Sequence, residues 1–91
     1  MSRRYRNGVG ELAPKLILPA AYQTRLRTAL ATIEEAPSWH ACCEAQARAT
    51  GLVEGLELAQ ALEPARLERL FLLIEDATGT RLRALEREGG A

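Results

Sequence analysis

Apolar residues recur along much of this chain at three- and four-residue intervals, the spacing that places side chains on one face of an α-helix. A first helix is predicted from about Pro19, which suits the first turn, to Glu35, where it stops before Pro37. Its apolar positions are Tyr22, Leu26, Ala29, Leu30 and Ile33. Ser38 can cap the next helix by accepting a hydrogen bond from a free backbone N–H.

The stretch after Ser38 presents apolar residues in two directions. One group contains Trp39, Cys42, Cys43, Gln46 and Ala49, and a nearly opposite group contains Leu52, Leu56, Leu58 and Leu62. Gly51 also suits a left-handed C-terminal cap, so we predict one helix ending near Thr50 and another over Leu52–Leu62. The alternative is one unbroken helix, in which small residues at four-residue spacing would permit a close helix crossing: Cys43, Ala47, Gly51, Gly55 and Ala59.

The last helix is predicted to run from Pro64 to about Glu88, because its apolar positions keep one direction throughout. A kink at Gly79 is the alternative, since glycine is a poor helix former. Leu72 projects about 160° from the centre of this apolar face and should be wet in a monomer.

The N-terminal part lacks this periodicity. Met1–Gly10 is basic and is predicted to be a flexible arm, and the piece between Pro14 and Pro19 should be extended, with Leu16 and Leu18 lying across the helices. We therefore predict an all-α fold, a small bundle of three or four helices with a flexible basic N-terminal arm. Residues 1–18 form the arm and extended segment, and residues 19–88 form the helical bundle.

Composition agrees with a small helical protein. The 91 residues are 47% hydrophobic and rich in Ala and Leu, which favour helix over strand. The preference for Arg over Lys suggests a GC-rich bacterial or phage genome.

No run has the roughly 18–20 apolar residues of a membrane span, so we expect a cytoplasmic protein with no membrane partner. The formal net charge is zero, yet residues 1–27 are mainly basic and residues 34–63 mainly acidic.

Catalytic and metal chemistry find little support in the sequence. Cys42 and Cys43 are adjacent and cannot form an ordinary disulfide with each other. His40, Cys43 and Glu44 have the spacing of one helical side, but a zinc site normally needs four ligands and the chain offers no matching His or Cys. A symmetric dimer in which each copy donates two ligands is the remaining alternative for a metal site. We therefore expect no enzyme, no catalytic residue, no metal, no cofactor and no small-molecule substrate.

DNA binding is the alternative function. The predicted turn at Thr50-Gly51-Leu52 resembles that of a helix-turn-helix, which implies a transcriptional regulator. The outward face of the second helix would be Val53, Glu54, Glu57, Gln60 and Ala61, whose carboxylates would repel phosphate. Nucleic-acid contact would then depend mainly on the arm.

A surplus of apolar surface favours protein binding. Leu72 and the wide apolar arc of the Leu52–Leu62 helix exceed what a bundle of this size can cover. We predict a non-enzymatic protein-protein interaction module, an adaptor, regulator or inhibitor of a larger complex that also self-associates, at least as a dimer. The predicted partner-binding residues are Leu58, Leu62, Leu72, Arg3, Arg4 and Arg6.

Overall fold

Three α-helices dominate the computed structural model, which describes residues 12–13 and 16–89. They are α1 (Ala20–Glu34), α2 (Trp39–Leu58) and α3 (Pro64–Arg87), and each packs against the other two. The predicted all-α bundle is confirmed with three helices. The predicted basic arm, Met1–Gly10, lies outside the described residues. In the described part of the chain, no helix is sufficiently long and apolar to cross a lipid bilayer.

Helices α1 and α3 begin and end within one residue of their predicted limits. Helix α1 follows Pro19 and buries Leu26, Leu30 and Ile33, which lie on one helical face. Helix α3 begins with Pro64, whose missing N–H is not needed in a first turn. It continues through Gly79 without a break, because residues on both sides of that glycine share the same buried face.

Helix α2 is continuous through Gly51, so the predicted break near Thr50 is wrong. Its buried residues run along the whole helix: Cys42, Ala45, Ala49 and Val53. Helix α2 packs against both α1 and α3, and two neighbours can cover two apolar directions on one straight helix. Tertiary packing thus outweighs the local preference of glycine for a helix end. The turn on which the resemblance to a helix-turn-helix depends is absent from α2.

Two further expectations concern individual residues of α2. Ser38 caps the helix as predicted, since its Oγ accepts a hydrogen bond from the Ala41 backbone N at 3.1 Å. Val53 was expected on the outward face, yet it is 0% exposed, and that expectation is wrong. The outward direction was assigned for a separate helix over Leu52–Leu62, whereas the real helix places Val53 in line with the buried Ala49.

The small residues of α2 lie on its exposed side rather than in a helix crossing. Gly51 and Gly55 are exposed, and a Cβ atom added to either would meet nothing within 4 Å. In a helix interior, alanine is more favourable than glycine by about 0.8–1 kcal/mol. We expect Gly51→Ala and Gly55→Ala each to raise the free energy of unfolding by about 0.5–1 kcal/mol, measured by chemical denaturation.

Gly89→Ala is the control for these two substitutions. Gly89 follows α3 with a φ of +73°, a conformation that alanine adopts only at a cost, so we expect no gain there. If Gly51→Ala instead lowered the free energy of unfolding, α2 would not be a straight helix at that position.

The segment before α1 is part of the core. Leu12, Leu16 and Leu18 are buried in the same apolar cluster as the helices, which confirms the expected placement of Leu16 and Leu18. The Leu12 N–H donates to the Leu16 carbonyl at 3.1 Å, and the Leu16 N–H donates to the Ala13 carbonyl at 2.9 Å. The Leu18 N–H donates to the buried Gln23 Oε1 at 3.1 Å, which ties the segment to α1.

Candidate protein-binding groove

The end of α2 shapes an open groove on the surface of the described part of the chain. The Ala61 N–H donates to the Leu56 carbonyl at 2.9 Å, and the Gln60 N–H donates to the Glu57 carbonyl at 3.0 Å. These two bonds form a Schellman motif, in which the residue at the Gln60 position adopts the left-handed conformation usually taken by glycine. Gln60 has a φ of 54° and is the one non-glycine residue with positive φ in the described part of the chain. The chain therefore turns sharply towards α3.

The strained conformation of Gln60 gives a prediction about stability. A left-handed conformation costs an L-residue about 1–2 kcal/mol, and glycine avoids most of this cost. We expect Gln60→Gly to raise the free energy of unfolding by about 0.5–1 kcal/mol. Thermal denaturation of the wild type, Gln60→Gly and Gln60→Ala measures the effect, and Ala should give no gain. Equal stability of all three chains would contradict the left-handed turn.

After this turn, Leu62 comes close to the first turns of α3. An open groove forms between the end of α2 and α3. The groove encloses a volume of about 730 Å³. We call it the acidic groove and define it by its lining residues: Glu57, Gln60, Leu62, Pro64, Leu67, Glu68, Phe71, Leu72 and Glu75. Its apolar residues come from the connection after α2 and from α3, so the shape of the groove depends on the way in which α2 ends.

Helix α3 contributes both apolar and charged residues to the acidic groove. Leu67 and Phe71 are four residues apart and lie on the side of the helix that faces the core. Leu67 is buried and Phe71 is half-buried. Glu68, Leu72 and Glu75 form the next stripe, at the i, i+4 and i+7 positions of one helical face. Leu72 is 57% exposed, as its helical projection predicted. An apolar side chain thus stands between two carboxylates at the open side of the groove.

Glu57 of α2 completes the charged rim. Glu57, Glu68 and Glu75 are all exposed, and within residues 12–13 and 16–89 none of them forms an ion pair with a basic side chain. The acidic groove therefore combines an apolar floor with three carboxylates that can accept hydrogen bonds from a cationic ligand.

The predicted partner-binding residues fall into three groups. Leu62 and Leu72 both line the acidic groove, so the fold brings them together. Leu58 is 86% exposed but lies outside the lining of this groove. Arg3, Arg4 and Arg6 lie outside the described residues. The carboxylates of the rim were missed as site residues, although the spacing of Glu68 and Glu75 around Leu72 was visible in the sequence.

A small hollow adjoins the acidic groove on the other side of Leu72. Its lining consists of Ala13, Arg69, Leu72, Leu73 and Asp76. Leu72 is shared by both depressions, and Ala13 belongs to the segment that leads into the core. The N-terminal end of the described chain therefore lies beside the acidic groove.

A second groove, between α1 and α2, has the opposite charge. We call it the basic groove and define it by Thr24, Arg25, Thr28, Ala29, Thr32, Ala45, Arg48 and Leu52. Its volume is about 380 Å³. Arg25 and Arg48 are its charged residues, so it would favour an acidic ligand over a basic one. The two grooves thus differ in the ligand charge that each can accept.

The residues considered above as metal ligands or reactive thiols all lie on α2. His40 Nε2 lies 3.4 Å from Glu44 Oε2 on the surface of α2. Across residues 12–13 and 16–89, no group of three or more His, Cys, Asp or Glu side chains is arranged to hold a metal ion. Cys43 is exposed, whereas Cys42 is buried and its Sγ donates to the Thr78 carbonyl at 4.0 Å. Burial raises the pKa of the Cys42 thiol, and the neighbouring Cys43 adds to the rise, while Arg81 opposes it.

No family model, no curated protein and no solved structure matches this chain.

Proposed function

We propose that this protein is a protein-protein interaction module that binds, in the acidic groove, a segment of another protein with an apolar side chain next to Arg or Lys. The observation that carries this proposal is the position of Leu72, which is more than half exposed between Glu68 and Glu75. Burying the exposed part of a leucine favours association, and the two flanking carboxylates favour basic neighbours in the ligand.

A protein segment suits the groove better than a small metabolite. The acidic groove is open to solvent, and its polar side chains are three carboxylates and one amide. Helix-in-groove and extended-segment recognition both use an apolar anchor with charged residues at the rim. An adaptor, regulator or inhibitor of a larger complex would use such a surface. We do not extend the proposal to DNA, because α2 lacks the helix-turn-helix break and its exposed Glu54 and Glu57 would repel phosphate.

A second copy of the chain is a natural candidate for the partner, and Leu72 would then lie in a dimer contact. We expect concentration-dependent dimers in sedimentation velocity, weakened by Leu72→Ser because the substitution removes apolar surface that the contact would bury. Ile17→Ser is the matched control, since Ile17 is also 57% exposed and lies outside the acidic groove. A wild type that stays monomeric at high concentration would exclude the second copy as partner.

Selection of a random peptide library on the immobilised full chain tests the proposal without a known partner. We expect enrichment of peptides that place Arg or Lys beside an aromatic or aliphatic residue. Their binding should weaken as salt increases, because the attraction to exposed carboxylates is screened. Enrichment of acidic peptides would indicate the basic groove instead, and either that result or the absence of any enrichment would contradict the proposed use of the acidic groove.

A further inference from the structure

The acidic groove lies close to the point where the described chain begins. Leu12 is fixed in the core, and Ala13 lines the hollow that shares Leu72 with the groove. Eleven residues precede Leu12. Leu72 is the residue that lines both the acidic groove and the hollow beside Ala13.

These eleven residues have the composition that the acidic groove favours. Arg3, Arg4 and Arg6 give three guanidinium groups, and Tyr5 between them gives an aromatic ring. The rim of the groove offers three carboxylates around an apolar floor. Arginine forms paired hydrogen bonds with carboxylates, and a tyrosine ring can cover apolar surface while its hydroxyl stays in water. The three arginines therefore match the three carboxylates in sign and number, and Glu11 is the one acidic residue of the segment.

Chain length allows this contact within one molecule. Arg6 is six residues and Arg3 nine residues before Leu12, and each residue spans at most about 3.3–3.6 Å. The arginines can therefore reach roughly 20–30 Å from Leu12. A short tether also gives the segment a high effective concentration at the neighbouring groove, of the order of millimolar. Both factors favour the segment of the same chain over that of a second copy.

We propose that residues 1–11 of the chain bind in its own acidic groove, with Arg3, Arg4 and Arg6 facing Glu57, Glu68 and Glu75. This inference rests on the proposed function, because it makes the N-terminal segment an internal competitor for the partner-binding site. A partner then has to displace the segment, so the protein is held in a self-inhibited state. Modification or removal of the basic segment would open the groove.

Paramagnetic labelling of the full chain tests this contact. A nitroxide is attached to Ser2→Cys in a Cys43→Ser background, where the buried Cys42 thiol stays unlabelled. We expect strong broadening of the Leu62, Leu67 and Leu72 methyl signals and little broadening of Leu52 in the basic groove. The difference should vanish at high salt and when Arg3, Arg4 and Arg6 are replaced by Ser. Equal broadening in both grooves would overturn the proposal.

A mixed sample identifies the source of the segment. Unlabelled, isotopically enriched chains are mixed with nitroxide-labelled chains that carry no isotope, at a concentration at which sedimentation shows monomers. Contact within one molecule predicts no groove-specific broadening in this mixture. Groove-specific broadening would show that the segment comes from a second copy and would overturn contact within one chain.

Peptide binding separates failure of this inference from failure of the proposed function. A peptide enriched on the full chain should bind the Arg3→Ser/Arg4→Ser/Arg6→Ser variant more tightly than the wild type, by roughly threefold or more, because the competing segment is removed. Equal affinity would overturn the self-inhibition and leave the proposed function standing. Failure to obtain any binding peptide from either chain would overturn both.

Discussion

Replacing Leu16 by alanine is expected to lower the free energy of unfolding by about 2–5 kcal/mol, although this residue lies outside all three helices. Leu16 is almost fully buried in the common apolar cluster, and its removal leaves a cavity among side chains that cannot fully close it. A domain of this size has a total stability of roughly 5–14 kcal/mol. The substitution would thus remove a large part of the stability.

Ile17 provides the matched control for this prediction. It is the next residue in the chain, has a side chain of the same size and is 57% exposed. We expect Ile17→Ala to lower the free energy of unfolding by about 1 kcal/mol or less, because more than half of this residue is already exposed to water. Urea denaturation of the three chains gives both values. Similar losses at the two positions, or none at Leu16, would show that residues 12–13 and 16–18 do not pack on the helices as described.

Replacing Leu72 by serine is expected to weaken the binding of library-selected peptides by roughly five- to thirtyfold while leaving the fold intact. Burial of a whole leucine side chain is worth about 1.5–3 kcal/mol, and 57% of Leu72 is still exposed in the free protein. About 1–2 kcal/mol is therefore available to a ligand, which converts to that change in Kd. Serine is preferred to glutamate here because an added carboxylate would itself attract a basic peptide.

The sequence predicted α1, α3 and the exposure of Leu72 because these depend on periodicity along one helix. Leu26, Leu30 and Ile33 repeat on one face, and the matching stripe of α3 defines which side of that helix faces solvent. Such patterns are local and can be followed without knowledge of the neighbouring elements. The exposed position of Leu72 follows directly from the same geometry.

The continuity of α2 depends on its neighbours and was therefore predicted wrongly. Gly51 has the local properties of a helix end, but Ala49 and Val53 on either side of it are both fully buried. The actual end of α2 is at Leu58, where Gln60 adopts the left-handed conformation although glutamine gives no such signal in the sequence. Tertiary packing selects the helix end here.

The acidic groove was only partly predictable for the same reason. Leu62 and Leu72 were identified from exposed apolar positions, but their proximity requires the Gln60 turn and the short connection to α3. Leu12 was assigned to the arm and extended segment, where no helical periodicity marks its burial. The proposed pairing of the groove with the N-terminal segment could be inferred only from the fold, in which Ala13 and Leu72 line the same hollow.

Calorimetric titration of one library-selected basic peptide into the full chain, Leu72→Ser and Ile17→Ser tests the central claim most directly. Leu72 and Ile17 have the same exposed fraction, and only Leu72 lines the acidic groove. The account predicts weaker binding for Leu72→Ser, by roughly five- to thirtyfold, and unchanged binding for Ile17→Ser. Unchanged affinity for Leu72→Ser, or an equal loss for both variants, would contradict binding in the acidic groove.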